Sequence, residues 1–132
     1  MSSGLQLPEF FLDRCLGKGT ADELRALGWV VHTVHDHFPN EGEDTSDEEW
    51  IAYGVARSWV CLTKDKRIRY RAGELGALVT GHIVCLSNGQ LTRQDAVQRF
   101  YAAQDAIARQ TSAHTVGFWH VGDSGRLSKM WP

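Results

Sequence analysis

The chain has 132 residues, 42% hydrophobic and 23% charged, the balance of a globular domain with enough length for one core. Its formal net charge of -2 excludes a globally basic nucleic-acid binder, so contact with a polyanion has to rest on a local patch. No apolar run is long enough to cross a bilayer. The start, Met1-Ser2-Ser3-Gly4-Leu5, lacks the basic region and apolar run of a secretory signal.

In chain order, residues 10–13 read as a first strand, apolar through Phe10, Phe11 and Leu12 and ending in Asp13. Thr20-Ala21-Asp22-Glu23 has the capping-box pattern and predicts a helix that carries Leu24 and Leu27 and stops at Gly28. Residues 29–34 are β-branched and predict a second strand. Residues 35–44 are polar, contain Pro39 and Gly42, and read as a loop. Ser46-Asp47-Glu48-Glu49 is a second capping box, opening a helix with Trp50, Ile51 and Val55 on one face. Residues 59–63 predict a third strand, and residues 71–80 a helix weakened by two glycines.

Residues 82–86 predict a fourth strand, turned by Ser87-Asn88-Gly89. Thr92-Arg93-Gln94-Asp95 starts the longest predicted helix, with Ala96, Val97, Phe100, Tyr101 and Ile107 at helical spacing. Residues 115–121 predict a fifth strand, and residues 122–132 show no usable periodicity. Strands alternating with helices argue for one domain, residues 1–132. Its fold class is α/β: a three-layer α/β/α arrangement around a central, mainly parallel sheet. The three cysteines, Cys15, Cys61 and Cys85, are an odd number in apolar or strand-like contexts. They are expected as buried, reduced thiols in a cytoplasmic protein.

Ligands of an open α/β sheet bind beyond the carboxyl ends of its strands. Asp13 ends the first strand, Asp65 follows the third, and Asp47 opens the helix leading into the third. Each alone reads as a strand-end or helix-dipole aspartate. Together at one edge they form a set of hard oxygen donors suited to Mg²⁺ or Mn²⁺. Such an ion polarises a phosphate and generates hydroxide from bound water. Convergence also implies like-charge repulsion without metal, so Asp65→Asn is expected to raise the melting temperature of the metal-free chain. Glu43 and Asp44 read as solvated loop charges, and Glu48 points away from Asp47.

Lys64, Lys66, Arg67, Arg69 and Arg71, with Tyr70 among them, crowd the segment beside Asp65. Cations hold phosphates and an aromatic ring stacks on an unpaired base. Lys64, Arg67 and Arg69 are therefore the candidate RNA-binding residues, with a solvated basic loop that pairs with nearby acids as the alternative. His32, His35 and His37 read as strand-end and loop histidines, with a transition-metal site as the alternative.

Four blocks carry a resemblance. Leu12-Asp13-Arg14, Leu24-Arg25-Ala26-Leu27-Gly28, Asp47-Glu48-Glu49-Trp50-Ile51 and Leu62-Thr63-Lys64-Asp65 stand in the order and spacing of the PIN-like domains, which are metal-dependent ribonucleases. Over about residues 9 to 87 the chain resembles the compact bacterial branch that includes VapC-like toxins. The resemblance implies a PIN-like fold and cleavage of RNA phosphodiesters by Mg²⁺ or Mn²⁺ held on Asp13, Asp47 and Asp65. It also implies a toxin role in a toxin–antitoxin pair, with a small antitoxin protein covering the acidic groove, no membrane partner, and a homodimer as an allowed assembly. Many relatives carry a further acid where this chain has Arg67 or Ser87-Asn88. One well-bound ion, with a second recruited by substrate, follows from that departure; the alternative is a catalytically weak RNA- or protein-binding module.

Overall fold

In a computed structural model, the chain is described over residues 6–68, 81–112 and 116–131. The helix expected over residues 71–80 and the side chains of Arg69, Tyr70 and Arg71 lie outside the described residues. The strands are β1 (Phe10–Leu12), β2 (Val31–Thr33), β3 (Val60–Thr63), β4 (His82–Leu86), β5 (Gly117–Val121) and β6 (Leu127–Trp131). They make one sheet in the order β2-β1-β3-β4-β5-β6. All pairs are parallel except β5 with β6. The helices are α1 (Lys18–Ala26), a four-residue α2 (Val34–His37), α3 (Asp47–Ala56), α4 (Arg93–Ala102) and α5 (Gln104–Ser112).

Side chains alternate across a strand, so consecutive apolar residues feed two cores. Phe10 and Leu12 join Leu62, Val84 and Trp119 on one face, under α1, α4 and α5. Phe11 joins Cys61, Ile83 and Phe118 on the other, under Trp50 and Ile51 of α3. A sheet covered on both faces reads as unbroken apolar runs rather than alternation. The molecule is thus a three-layer α/β/α domain. Phe10 and Phe11 are both fully buried, and truncating either to alanine would cost about 3–5 kcal/mol.

Helix α3 lies close on the sheet because of Gly54. A Cβ there would stand 2.7 Å from Phe11 Cδ2 and 3.0 Å from Cys61 Sγ. That close approach sets where Asp47, at the start of the same helix, sits. Ser46 caps α3 as the sequence predicts: its hydroxyl accepts from the Glu49 N–H at 3.2 Å. Thr92 caps α4 in the same way through the Asp95 N–H. Gly28 ends α1 at φ +95°. Its N–H bonds to the Arg25 carbonyl at 3.0 Å, and the Trp29 N–H bonds to that of Leu24 at 3.1 Å, the paired closure of a left-handed C-terminal cap.

Several local expectations are corrected. Thr20 is not a cap. Helix α1 begins two residues earlier, and the Thr20 hydroxyl donates to the Leu16 carbonyl at 2.7 Å. The loop expected over 35–44 contains α2, capped by Thr33, which accepts from the Asp36 N–H and donates to Asp36 Oδ2. The long C-terminal helix is two helices, α4 and α5, parted at Ala103. There Gly125 approaches so closely that a Cβ would meet Ala102 C at 2.5 Å. Tyr101 is exposed rather than on the core face. The tail holds β6, paired antiparallel with β5 through a bulge at Phe118/Trp119. Cys61 and Cys85 are buried free thiols, but Cys15 is exposed.

Candidate functional site

From β1 the chain passes to β2 on one side and then to β3 on the other. The order of the sheet therefore reverses at β1, and a crevice opens between the ends of β1 and β3. A cleft of about 480 Å³ lies there, lined among others by Asp13, Arg14, Cys15, His35, Asp47, Trp50 and Asp65. The three aspartates singled out in the sequence thus line one cleft, although they are far apart along the chain.

Asp13 follows β1, and its N–H continues the ladder to the Leu62 carbonyl at 2.9 Å. Its Oδ2 accepts from the Thr63 hydroxyl at 2.7 Å and from the Cys15 thiol at 3.2 Å. Burial pushes the Asp13 carboxyl up from 3.8, and the Asp47 charge adds to the rise; the Thr63 and Cys15 hydrogen bonds pull the other way. The Cys15 thiol is pushed up to about 11, first by burial and then by the Asp13 charge. It is a neutral donor to Asp13 rather than a nucleophile. The residue is exposed as a whole, yet its sulfur is turned inward, 3.7 Å from Thr63 Oγ1.

Asp47 stands in the first turn of α3, where the helix dipole favours a carboxylate. Its Oδ1 accepts from the indole N–H of Trp50 at 3.0 Å. Asp65 follows β3, with its N–H bonded to Thr63 Oγ1 at 3.1 Å. Its carboxylate is held by Arg67. Oδ1 accepts from the backbone N–H at 2.9 Å and from Nε at 3.0 Å, and Oδ2 lies 3.4 Å from the terminal nitrogen. Asp65 holds Arg67 above its ordinary pKa, through their hydrogen bond first and then its charge. The Arg67 side chain is otherwise 84% exposed.

The donor set of the cleft is dominated by carboxylate oxygen, which fits a hard divalent cation. Among the described residues, no three His, Cys, Asp or Glu side chains stand together closely enough to hold an ion. Asp65 is drawn onto Arg67 instead. Lys64 turns away from this cleft and lines a second, smaller pocket. Arg69 lies outside the described residues.

The histidines do not converge as a trio. His35 lines the acidic cleft. His32 stacks on Trp59, with ring centroids 3.8 Å apart, and bonds Glu9 at 2.8 Å. His37 bonds the Tyr53 hydroxyl at 3.1 Å. Glu43 and Asp44 are exposed loop acids within reach of the Asn40 amide.

Four residues in or beneath the cleft carry roles that sequence reasoning missed. Thr63 ties Asp13 to Asp65, Trp50 orients Asp47, Cys15 donates to Asp13, and Arg14 brings a cation into the cleft. Arg14 was signalled by following Asp13 directly, and Trp50 by its place three residues after Asp47. Thr63 was legible only as a strand-end hydroxyl. No curated protein and no solved structure matches the chain. The family model described as PIN like domain matches residues 8–88, more than half of the chain and all of the acidic cleft. The chain belongs to the PIN-like domain family.

Proposed function

We propose that the protein is a metal-dependent endoribonuclease, the toxin of a toxin–antitoxin pair of the VapC-like branch. The single observation that carries the reading is that Asp13, Asp47 and Asp65 all line one cleft at the reversal point of the sheet. Domains of this family are generally nucleases and typically use divalent metals. Residues 1–132 are read as one PIN-like domain, because β5 and β6 extend the sheet that β1 to β4 begin. No described helix is long and apolar enough to cross a membrane.

Asp13, Asp47 and Asp65 would hold Mg²⁺ or Mn²⁺. The bound cation would supply a water acidic enough to attack a phosphodiester and a positive charge for the leaving oxygen. The chain's own groups do the positioning. The Thr63 hydroxyl keeps Asp13 Oδ2 oriented, and the Trp50 N–H does the same for Asp47 Oδ1. Arg14 offers donors to a phosphate oxygen in the cleft. With a cation held on Asp65, the Arg67 guanidinium would be available to hold phosphate, with Arg69 close behind it in sequence. The toxin role, the small antitoxin partner that covers the groove, a cytoplasmic setting and a homodimer rest on the resemblance of the sequence blocks.

The Asp65–Arg67 pair favours a second reading, a catalytically weak RNA- or protein-binding module, because it neutralises a carboxylate that the cation needs. Pure protein incubated with RNA in Mn²⁺, with and without chelator, decides between them. The nuclease reading expects chelator-sensitive cleavage, abolished in Asp13→Asn, Asp47→Asn and Asp65→Asn proteins that remain folded. Binding without turnover at any metal concentration would establish the module instead.

A further inference from the structure

Beside the acidic cleft, on the other side of the β3 exit, lies a pocket of about 120 Å³. It is bounded by Lys64, Asn88, Gly89 and Arg93, with Leu16 and Leu86 among the apolar residues that line it. We propose that this pocket binds a backbone phosphate of the RNA next to the scissile one, with Lys64 and Arg93 as its cations. The proposal rests on the nuclease reading above and adds a substrate subsite to it.

The end of β3 divides its side chains between two sites. Thr63 bonds Asp13, and Asp65 lines the acidic cleft, while Lys64 between them lines the second pocket. Successive side chains of an extended strand point to opposite sides, so one strand end serves an acidic and a basic site. The Cα atoms of Lys64 and Asp65 are about 3.8 Å apart, which makes the two openings neighbours along any strand of RNA lying over this edge.

The pocket fits a phosphate by size and chemistry. Its volume is about that of four waters at ~30 Å³ each and is below the roughly 300–1,000 Å³ of sites that enclose a whole drug-sized ligand. No carboxylate pairs with Lys64 among the described residues. Arg93 is tied to Glu23 through Nε at 2.8 Å. One of its terminal nitrogens, Nη1, lies over Gly19, where any Cβ would collide with it. A guanidinium has five N–H donors, so the pair with Glu23 fixes the side chain and leaves the terminal donors for an anion. Asn88 Oδ1 accepts from the Gln90 N–H at 2.9 Å, which leaves the amide N–H₂ as a donor. At Gly89 a Cβ would stand 3.2 Å from the Lys64 carbonyl, so a bare backbone there keeps the wall thin. Arg93 lies beyond the residues that the family model matches.

The test measures binding of a single-stranded RNA oligomer to the full chain in chelator, by fluorescence anisotropy across a range of NaCl. Lys64→Gln and Arg93→Gln are each expected to weaken binding several-fold and to flatten the slope of log K against log salt by about 0.7, the contribution of one phosphate contact on a single strand. Mn²⁺ affinity, read from tryptophan fluorescence, should stay as in wild type, because neither residue lines the acidic cleft. Should Arg93→Gln fail to fold, Asn88→Asp, which places an anion in the pocket, is expected to weaken RNA binding in its stead. Inorganic phosphate is the second probe: it should move the Gly89 amide resonance in the wild type and not in Lys64→Gln, and RNA should compete with it. An unchanged salt slope in both charge variants overturns the subsite, even if inorganic phosphate still binds, since the pocket would then serve free phosphate alone. A wild-type chain that binds Mn²⁺ but no RNA overturns the subsite together with the nuclease reading.

Discussion

The Thr63 hydroxyl donates a 2.7 Å hydrogen bond to Asp13 Oδ2 across fifty residues of sequence. Thr63 Oγ1 in turn accepts from the Asp65 N–H, so one fully buried threonine sets the spacing of two of the three cleft carboxylates. Thr63→Val keeps the shape and removes both bonds. It is expected to cost about 1–3 kcal/mol of stability, because buried polar groups are left unsatisfied. It should also lower Mn²⁺ affinity or cleavage about 10- to 100-fold, the usual effect of losing a partner that orients a metal-holding group. Thr63→Ser should restore most of both. Denaturant melts and metal titrations of the pair check this, and equal behaviour of Val and wild type would remove Thr63 from the site.

The metal-free stability of the aspartate variants should differ in sign. Burial and the Asp47 charge raise the Asp13 carboxyl above 3.8, so the folded state holds that proton more tightly than the unfolded chain. Stability from this group is therefore fully present below 3.8 and is lost as pH rises through the raised value. Asp13→Asn should raise the melting temperature in chelator. Mn²⁺ should raise that of the wild type and not that of the variant. The expectation from sequence that Asp65→Asn stabilises does not survive the geometry. Asp65 accepts three hydrogen bonds from Arg67, whose side chain is exposed while that of Asp65 is mostly buried, so its loss should cost about 1 kcal/mol. Melting curves of both variants decide the signs.

Arg67 should report on two events at once. Arg67→Ala removes the guanidinium from the Asp65 carboxylate and leaves the backbone N–H bond, so Mn²⁺ affinity is expected to rise a few-fold. RNA affinity should fall with a flatter salt dependence, because a phosphate contact is lost. Isothermal titration with Mn²⁺ and anisotropy with RNA measure the two separately. A fall in both would mean that Arg67 supports Asp65 rather than competing for it.

At the other end of the sheet, the Trp119 N–H donates to His82 Nδ1 at 3.2 Å. That bond needs a neutral imidazole. Burial lowers the His82 pKa below 6.5, and the Lys129 charge lowers it further. The stabilisation is thus fully present above 6.5 and is lost as pH falls through that value toward the lower folded one. His37, lowered by burial and then by the His32 charge, adds the same sign. The melting temperature should drop between pH 7.5 and pH 5.5, and His82→Asn should flatten that drop by keeping an acceptor that does not titrate there.

What the sequence revealed divides by the range of the interaction. The Ser46 and Thr92 caps were legible because cap and partner lie three residues apart. So was β4, bounded by Gly81 and the Ser87-Asn88-Gly89 turn. Thr20 carried the same local pattern, but the turn after β1 had already started α1. The three aspartates were found as strand and helix ends, which is a matter of order along the chain. Their bonding was not, because Thr63 meets Asp13 only once β1 and β3 pair. Strand β6 escaped because Leu127, Ser128 and Met130 are only partly buried at the sheet margin, and its register shifts at a bulge between Phe118 and Trp119 of β5.

The pairing of β1 with β3 also has a consequence for synthesis. Asp13 leaves the ribosome long before Thr63 and Asp65, and a contact of such sequence separation forms late in folding. A nascent chain that stops short of Val60 has only Asp13 and Asp47 of the three cleft carboxylates, with no buried Thr63 hydroxyl to orient Asp13 and no Asp65. Under the nuclease reading, the translating ribosome and its message are spared until β3 has emerged and docked. Nested truncations should then be harmless to a host when they end before residue 60, however strongly they are expressed. Toxicity from such a fragment would show that the damaging activity does not reside in this cleft.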